Sequence, residues 1–336
     1  MKKKLITTVS SLLVLCTPTL AFANTNKAGV DVQDEAMVTQ SGKVLSVEQL
    51  QQQASKVNAQ AKQEVEKSES GTQQGLTNEK VSLPDQVKVY DPISKTSKSY
   101  TTKTLFTASQ VPGVIGKDDR TRVTNTKTFP YSATGMIIAQ FGRDTFTCSG
   151  AYIDKNTVLT AAHCLYHPET NQYAKNIRFI PAATADSRGN LVAPYGIAKG
   201  IDFSFAKGWK KANLNYDYGV ITTDKSLGKK SGHFGLRPAN TLKGQTVTAV
   251  GYPAVKKPFT MWKGSGKVIS ETSRIMKYYI DTTAGQSGGP VFQYSKKYGY
   301  YALGVISHGI PDEYNAGTKL APKAYDAVKN WAAKDQ

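Results

Sequence analysis

The stretch "DTTAGQSGGPVF", residues 281–292, sets Ser287 among Ala284, Gly285, Gly288 and Gly289 at the mouth of an apolar, strand-like run. Glycine reaches backbone angles that a Cβ forbids and lets a ligand approach the main chain. A serine held in such a loop can stand open while neighbouring N–H groups point the same way. That arrangement suits the negative oxygen of a tetrahedral acyl intermediate, although a plain tight turn uses the same residues. A serine nucleophile also needs a base, and the base needs an orienting group. "CSGAYIDKNTVLTAAHC" offers His163 directly before Cys164, and "NYDYGVI" offers Asp217 between two tyrosines. An acid in so apolar a context needs a partner if it is buried; on its own it could equally be a turn residue at a strand start. Together, His163, Asp217 and Ser287 supply a base, an orienting acid and a nucleophile for acyl transfer. A metal site is the rival reading of His163, Cys164 and His167. That run has no glutamate between its histidines and no second cysteine pair at metal spacing, so neither metal nor cofactor is expected.

These residues must be positioned by the elements around them. Beyond about Val114, short β-branched and aromatic runs alternate with Gly/Asn/Asp/Pro turns: "GMIIAQFG", "TVLTAA", "NIRFIPAA", "YGVITT", "TVTAVGYP", "GPVFQY", "YYALGVIS". Regularly spaced short strands predict an all-β barrel or sandwich. Only "PKAYDAVKNWAAK" near the end has the pattern of a sizeable helix. Upstream, residues 24–84 are polar, but Ser46 and Gln49 form a capping box. Val47, Leu50, Ala54, Val57 and Ala61 follow at helical spacing. This is one thin amphipathic helix, either solvated or docked on the folded domain as part of a pro-segment; the second is favoured. Residues 88–112 are rich in Ser, Thr and Lys and are expected to be an extended connector.

The first 23 residues carry three lysines, a short apolar run and Ala21-Phe22-Ala23. That is the pattern of a secretory signal peptide, and the run is too short to span a bilayer. The exported chain then keeps only Cys148 and Cys164, which should pair in an oxidising compartment. The bridge would contribute about 3 kcal/mol in the chain-entropy picture. The formal net charge is +18, and from Val114 onward 30 Lys/Arg face 15 Asp/Glu. Such a field draws acidic substrates and equally suits retention on an anionic cell wall. Nucleic-acid binding ranks last, because no stacking or groove-reading motif is present and export argues against it.

The stretches "VIGKDDRTRVTNT", "CSG" with "TAAHC", "NYDYGVI", "MWKGSGKV" and "DTTAGQSGGPVF" resemble the chymotrypsin-like serine proteases, in particular the glutamyl endopeptidases secreted by Gram-positive bacteria. The resemblance covers residue 113 to the end. It implies two six-stranded β-barrels with a C-terminal helix and a cleft between the barrels. It also implies a signal peptide (1–23), a pro-segment (24–113) and a protease domain (114–336) acting as a secreted monomer on protein or peptide substrates. His163, Asp217 and Ser287 would be the catalytic triad, and the N–H groups of Gly285 and Ser287 the oxyanion hole. The substrate would meet Val114, Asp281, Thr282, Ile306, Ser307 and His308, and a maturation protease would free Val114. Two departures stand out. Gln286 replaces the aspartate that pairs with the new N-terminus in digestive relatives. Ile306 stands where the glutamyl branch has a histidine, and His308 follows two residues later, on the same strand face if alternation holds. A preference for Glu or Asp before the cleaved bond is the leading reading; a non-acidic preference and a catalytically idle relative are the alternatives.

Overall fold

The computed structural model describes residues 32–58, 70–71, 79–81, 84–101 and 113–334. The expected leader lies outside the described residues. The β-branched runs close into two six-stranded barrels, as expected. The first comprises Thr134–Phe141, Asp144–Tyr152, Thr157–Thr160, Lys175–Pro181, Ala198–Ala206 and Gly219–Thr223. Lys175–Pro181 closes it by pairing with both Thr134–Phe141 and Ala198–Ala206. Ile137, Phe179, Phe203, Phe205 and Ile221 fill its interior. The second comprises Thr246–Gly251, Met261–Glu271, Ile275–Tyr278, Pro290–Ser295, Gly299–Ile310 and Tyr314–Lys319. Tyr314–Lys319 closes it against Ile275–Tyr278 and Gly299–Ile310, around Val247, Ala249, Met276 and Val291. Closure removes the unpaired sheet edges that would otherwise invite association.

The C-terminal helix, Pro322–Lys334, buries Ala324, Ala327, Val328 and Trp331. Their spacing of three and four places them on one stripe. Trp331 is anchored at its polar end, donating from Nε1 to Thr222 Oγ1 at 3.2 Å. Among the described residues no helix is long and apolar enough to cross a membrane.

The segment ahead of the barrels is folded onto them. The helix Val47–Asn58 starts at the expected box: Ser46 N donates to Gln49 Oε1 (2.9 Å) and Gln49 N to Ser46 Oγ (3.1 Å). Leu50 and Ala54 are buried, and the helix packs on the C-terminal helix. Met37–Thr39 adds a strand to the first barrel, pairing antiparallel with Ala198–Ala206. The fully buried Glu35 carboxylate meets the Arg274 guanidinium of the second barrel and accepts from Tyr218 Oη at 2.5 Å. Burial pulls the Arg274 pKa down to about 10.

The expected extended connector is instead, over its described part, a hairpin of Gln86–Asp91 and Thr96–Thr101. Asp91 builds its turn, accepting from Ile93 N at 3.0 Å and Ser94 Oγ at 2.7 Å. Val87, Val89 and Tyr90 are buried while the polar residues of the returning strand face outward. Few apolar residues are needed when the barrel supplies the rest of the contact, so composition alone reads as linker.

Candidate active site

His163 sits in a single 3-10 turn, Ala162–Cys164, directly after the strand Thr157–Thr160. The structure joins Cys148 to Cys164 as a disulfide, tying the residue after His163 to the strand Asp144–Tyr152. A ring nitrogen of His163 and the sulfurs of Cys148 and Cys164 lie within 4.8 Å of one another, but cysteines consumed in a disulfide offer no thiolate to a metal. Asp217 follows the turn Leu214–Tyr216, which Asn213 caps by accepting from Asn215 N at 3.1 Å. The chain then enters the strand Gly219–Thr223. Asp217 is fully buried. One oxygen accepts from His163 N (2.9 Å); the other lies 2.8 Å from His163 Nδ1 and accepts from Ser307 Oγ at 2.6 Å. Burial alone would raise the Asp217 carboxyl. The adjoining imidazole and these hydrogen bonds outweigh it and hold the group below the usual carboxylate range. It is an anion aimed at Nδ1, the His163 nitrogen it contacts, with Nε2 as the other ring nitrogen. Nε2 has no hydrogen-bond partner among the described residues.

Ser287 lies between Gly285 (φ +91°) and Gly288 (φ +79°). A Cβ on Gly285 would come within 2.6 Å of Tyr252 O and 2.8 Å of Ala254 N, and one on Gly288 within 2.1 Å of Thr160 Oγ1. Both therefore need glycine for conformation and for space. The N–H groups of Gly285 and Ser287 have no acceptor among the described residues, whereas Gly288 N and Gly289 N are committed to Ile306 O and Gln286 O. Two such N–H groups, the serine's own and that of Gly285, are what an oxyanion would require.

Two residues that brace this loop were not singled out from the sequence. Ser149 N donates to Ser287 O (2.8 Å), and its Oγ donates to Gly285 O (2.8 Å) while accepting from Tyr252 N (2.9 Å). Arg120 is buried, with Nη1 donating to Gln286 Oε1 (2.6 Å) and Thr283 Oγ1 (2.7 Å). Its other side grips Asp118 through Nε (2.9 Å) and Nη2 (2.7 Å), and Lys256 Nζ reaches the same carboxylate at 2.6 Å. Burial opposes ionisation of Asp118, but the two cations hold its carboxyl well below the usual range. Gln286 Oε1 also accepts from Thr283 N at 3.0 Å.

The residues expected at the substrate divide into groups. Asp281 is buried, and its oxygens accept from Ile115 N (2.8 Å) and Asp119 N (3.1 Å). Burial raises its carboxyl despite those bonds. It caps the chain after Val114 rather than standing open in a pocket. Thr282 N and Asn315 Nδ2 both hold Gly113 O, at 3.1 and 2.8 Å, so Val114 is placed beside Thr282. Ile306 is buried in the second barrel's core. Ser307 directs its hydroxyl to Asp217. A bulge between Ile306 and His308 breaks the strict alternation expected there. His308 Nδ1 lies 3.0 Å from Ser307 Oγ, and burial, with His163 and Lys277 nearby, lowers its pKa to about 4.

The leading hairpin reaches this site. The Tyr90 ring lies 5.9 Å from the His163 ring and stacks on His167 at 4.5 Å.

A family profile described as Trypsin matches residues 120–333. A glutamyl endopeptidase of Bacillus licheniformis is 36% identical over 252 residues, covering 73% of this chain and 76% of the relative. A Bacillus subtilis protein named extracellular metalloprotease is 32% identical over 276 residues, 79% of this chain and 86% of its own. Among solved structures, a Glu endopeptidase in complex with MPD is similar with a TM-score of 0.58 and 30% identity, covering 66% of this chain and all of the other. With the family profile spanning both barrels and such relatives aligned along most of its length, the chain belongs to the trypsin-like serine endopeptidases, in the branch of the bacterial glutamyl endopeptidases.

Proposed function

We propose that this serine endopeptidase is secreted as an inactive precursor, is matured at Gly113–Val114, and cleaves after Glu or Asp through Ser287, His163 and Asp217. The observation that carries the catalytic part is the buried Asp217–His163 pair, with Ser287 O lying 3.8 Å from Sγ of the adjoining Cys164, and the N–H groups of Gly285 and Ser287 without an acceptor among the described residues. Ser287 Oγ attacks the carbonyl carbon as His163 Nε2 takes its proton. Nε2 then gives that proton to the departing amine, leaving an acyl-serine that water hydrolyses by the same path. Asp217 keeps the Nδ1 proton in place and stabilises the imidazolium. The N–H groups of Gly285 and Ser287 meet the developing oxyanion; losing one such donor typically costs about 2.7–4 kcal/mol.

The precursor reading is supported by Tyr90, a residue of the segment such a cut would remove, whose ring lies 5.9 Å from that of His163. The acidic preference is supported by the named relatives and by the anchorage of Gly113 to Thr282 and Asn315, since cutting there would free the Val114 α-amino group beside Thr282. Asp281 does not oppose an acidic side chain, because its carboxylate is turned onto backbone N–H groups. Ile306, buried and apolar where the branch has a histidine, favours the second reading, a non-acidic preference.

A peptide-library cleavage profile of the processed enzyme decides between them. Cleavage dominated by Glu and Asp is expected, and cleavage spread over apolar residues would establish the alternative. Ser287→Ala should abolish hydrolysis and fluorophosphonate labelling while leaving the melting transition in place. A folded variant that still turned over peptides would overturn the catalytic assignment.

A further inference from the structure

Tyr90 occupies a site built for a phenol. The residue is 5% exposed. One face stacks on His167 with centroids 4.5 Å apart and 19° between planes. Behind His167 lies Phe141, stacked at 3.7 Å and 6°, with Phe146 edge-on to His167 at 4.9 Å. The Tyr90 hydroxyl donates to Glu169 Oε2 at 2.5 Å. Burial lowers the His167 pKa to about 3, so the stack is between neutral rings. Phe141, Phe146, His167 and Glu169 all belong to the first barrel or to the turn following His163. They remain with the protease when the chain is cut after Gly113, whereas Tyr90 goes with the leading segment.

We propose that in the processed enzyme this aromatic box, closed at one end by Glu169, is a substrate subsite for a tyrosine side chain on the leaving-group side of the cleaved bond. The proposal rests on the reading that the chain is processed at Gly113–Val114. The side follows from the placement of the box. The groups that hold the chain on either side of the freed Val114, namely Asp281 on Ile115 N and Thr282 and Asn315 on Gly113 O, lie on the second barrel. The box lies on the first, four residues beyond the histidine that hands its proton to the leaving amine. A ring of any kind gains the stack on His167, but only a phenol also donates to the carboxylate, and hydrogen bonds to a charged acceptor are the stronger kind.

The test uses full-length precursor processed to Val114 by an added protease. Quenched fluorescent peptides carry whichever residue the processed enzyme prefers before the cleaved bond, so failure of the acidic reading does not disturb the result. Tyr, Phe, Leu or Ala is placed in turn at each of the first three positions after that bond. At one position kcat/KM should be about tenfold higher for Tyr than for Ala, and several-fold higher for Tyr than for Phe. Glu169→Gln should bring the Tyr-to-Phe ratio toward one, and His167→Ala should erase the advantage of both rings over Leu. The series is repeated with Tyr90→Ala precursor, in which a hairpin retained after cutting leaves the box open. Equal rates for Tyr, Phe and Ala at all three positions in both enzymes would overturn the proposal. So would a Tyr preference that Glu169→Gln and His167→Ala leave intact.

Discussion

Arg120 performs a task that trypsin-like enzymes can assign to a freed N-terminus. Gln286 stands before the nucleophile and cannot form a salt bridge, yet its oxygen is held by Arg120 Nη1 at 2.6 Å, within a chain of contacts running to Asp118 and Lys256. The loop bearing Ser287 is therefore braced before any cut is made. Removing the cation leaves the Asp118 carboxylate with less compensation and Gln286 Oε1 held only from Thr283, and breaking a buried pair typically costs about 3–5 kcal/mol. Arg120→Ala should lower the midpoint of urea unfolding by that scale. In whatever folds, kcat should fall far more than KM rises, because the oxyanion donors shift while the acyl pocket stays. Arg120→Lys should restore part of both. A fall in stability with kcat unchanged would reduce Arg120 to a packing residue. His163, Asp217 and Ser287 could be singled out as candidates because each chemistry-bearing residue sits in its own short, unusual motif. Arg120 was not, since it acts on a residue 166 positions away and only the barrel closure brings them together. Ser149 was hidden in the same way, 136 positions from the carbonyl it holds.

The leading segment shows how little an element's own sequence reveals when another element completes its core. The Ser46–Gln49 box announced a helix start because both halves of the cap lie within four residues. The hairpin of Gln86–Asp91 and Thr96–Thr101 was illegible, since its second strand is Ser/Thr/Lys and the apolar surface it needs belongs to the barrel. The barrels were visible as a class because alternation and turn residues repeat, but pairing order depends on long-range contacts that no short window contains. Glu35 joins this segment to both barrels, placing a carboxylate between Arg274 and Tyr218 next to the Asp217 strand. Glu35→Ala in a Ser287→Ala background, where self-cleavage cannot intervene, strands the Arg274 guanidinium in a buried site. A loss of about 3–5 kcal/mol is expected from denaturant unfolding. The double substitution Glu35→Leu with Arg274→Met should recover much of it, and a single-variant loss below about 1 kcal/mol would mean that the pair is open to water.

At the scale of the whole molecule, protons and proteolysis each act on the folded precursor in a definable direction. His167 and His308 titrate near 3 and 4 in the fold, against about 6.5 when unfolded. Between pH 6.5 and 4 the unfolded chain thus binds more protons, and stability must fall as pH falls. Asp118, Asp217 and Glu271 have depressed carboxyls. Their stabilisation is present above the unfolded carboxylate pKa of about 4 and is lost on further acidification. Asp281, raised by burial, opposes this trend in part. Calorimetry of the Ser287→Ala precursor should show the melting temperature dropping from pH 7 to pH 4, with His167→Phe flattening the upper part of the drop; a flat profile would contradict the buried histidines. Maturation follows from charge distribution along the chain. Between Asp91 and Asp118 there is no aspartate or glutamate, so an enzyme strict for acidic residues cannot cut Gly113–Val114 in its own chain. On the proposed acidic preference another protease acts there, and the Ser287→Ala precursor, secreted among a host's usual proteases, should still be trimmed to Val114. N-terminal sequencing of both forms reads this directly. If purified wild-type precursor trims itself to Val114 while the Ser287→Ala form stays uncut even among other proteases, strict acidic specificity is untenable, and the apolar Ile306 wall beside His308 becomes the determinant of a different preference.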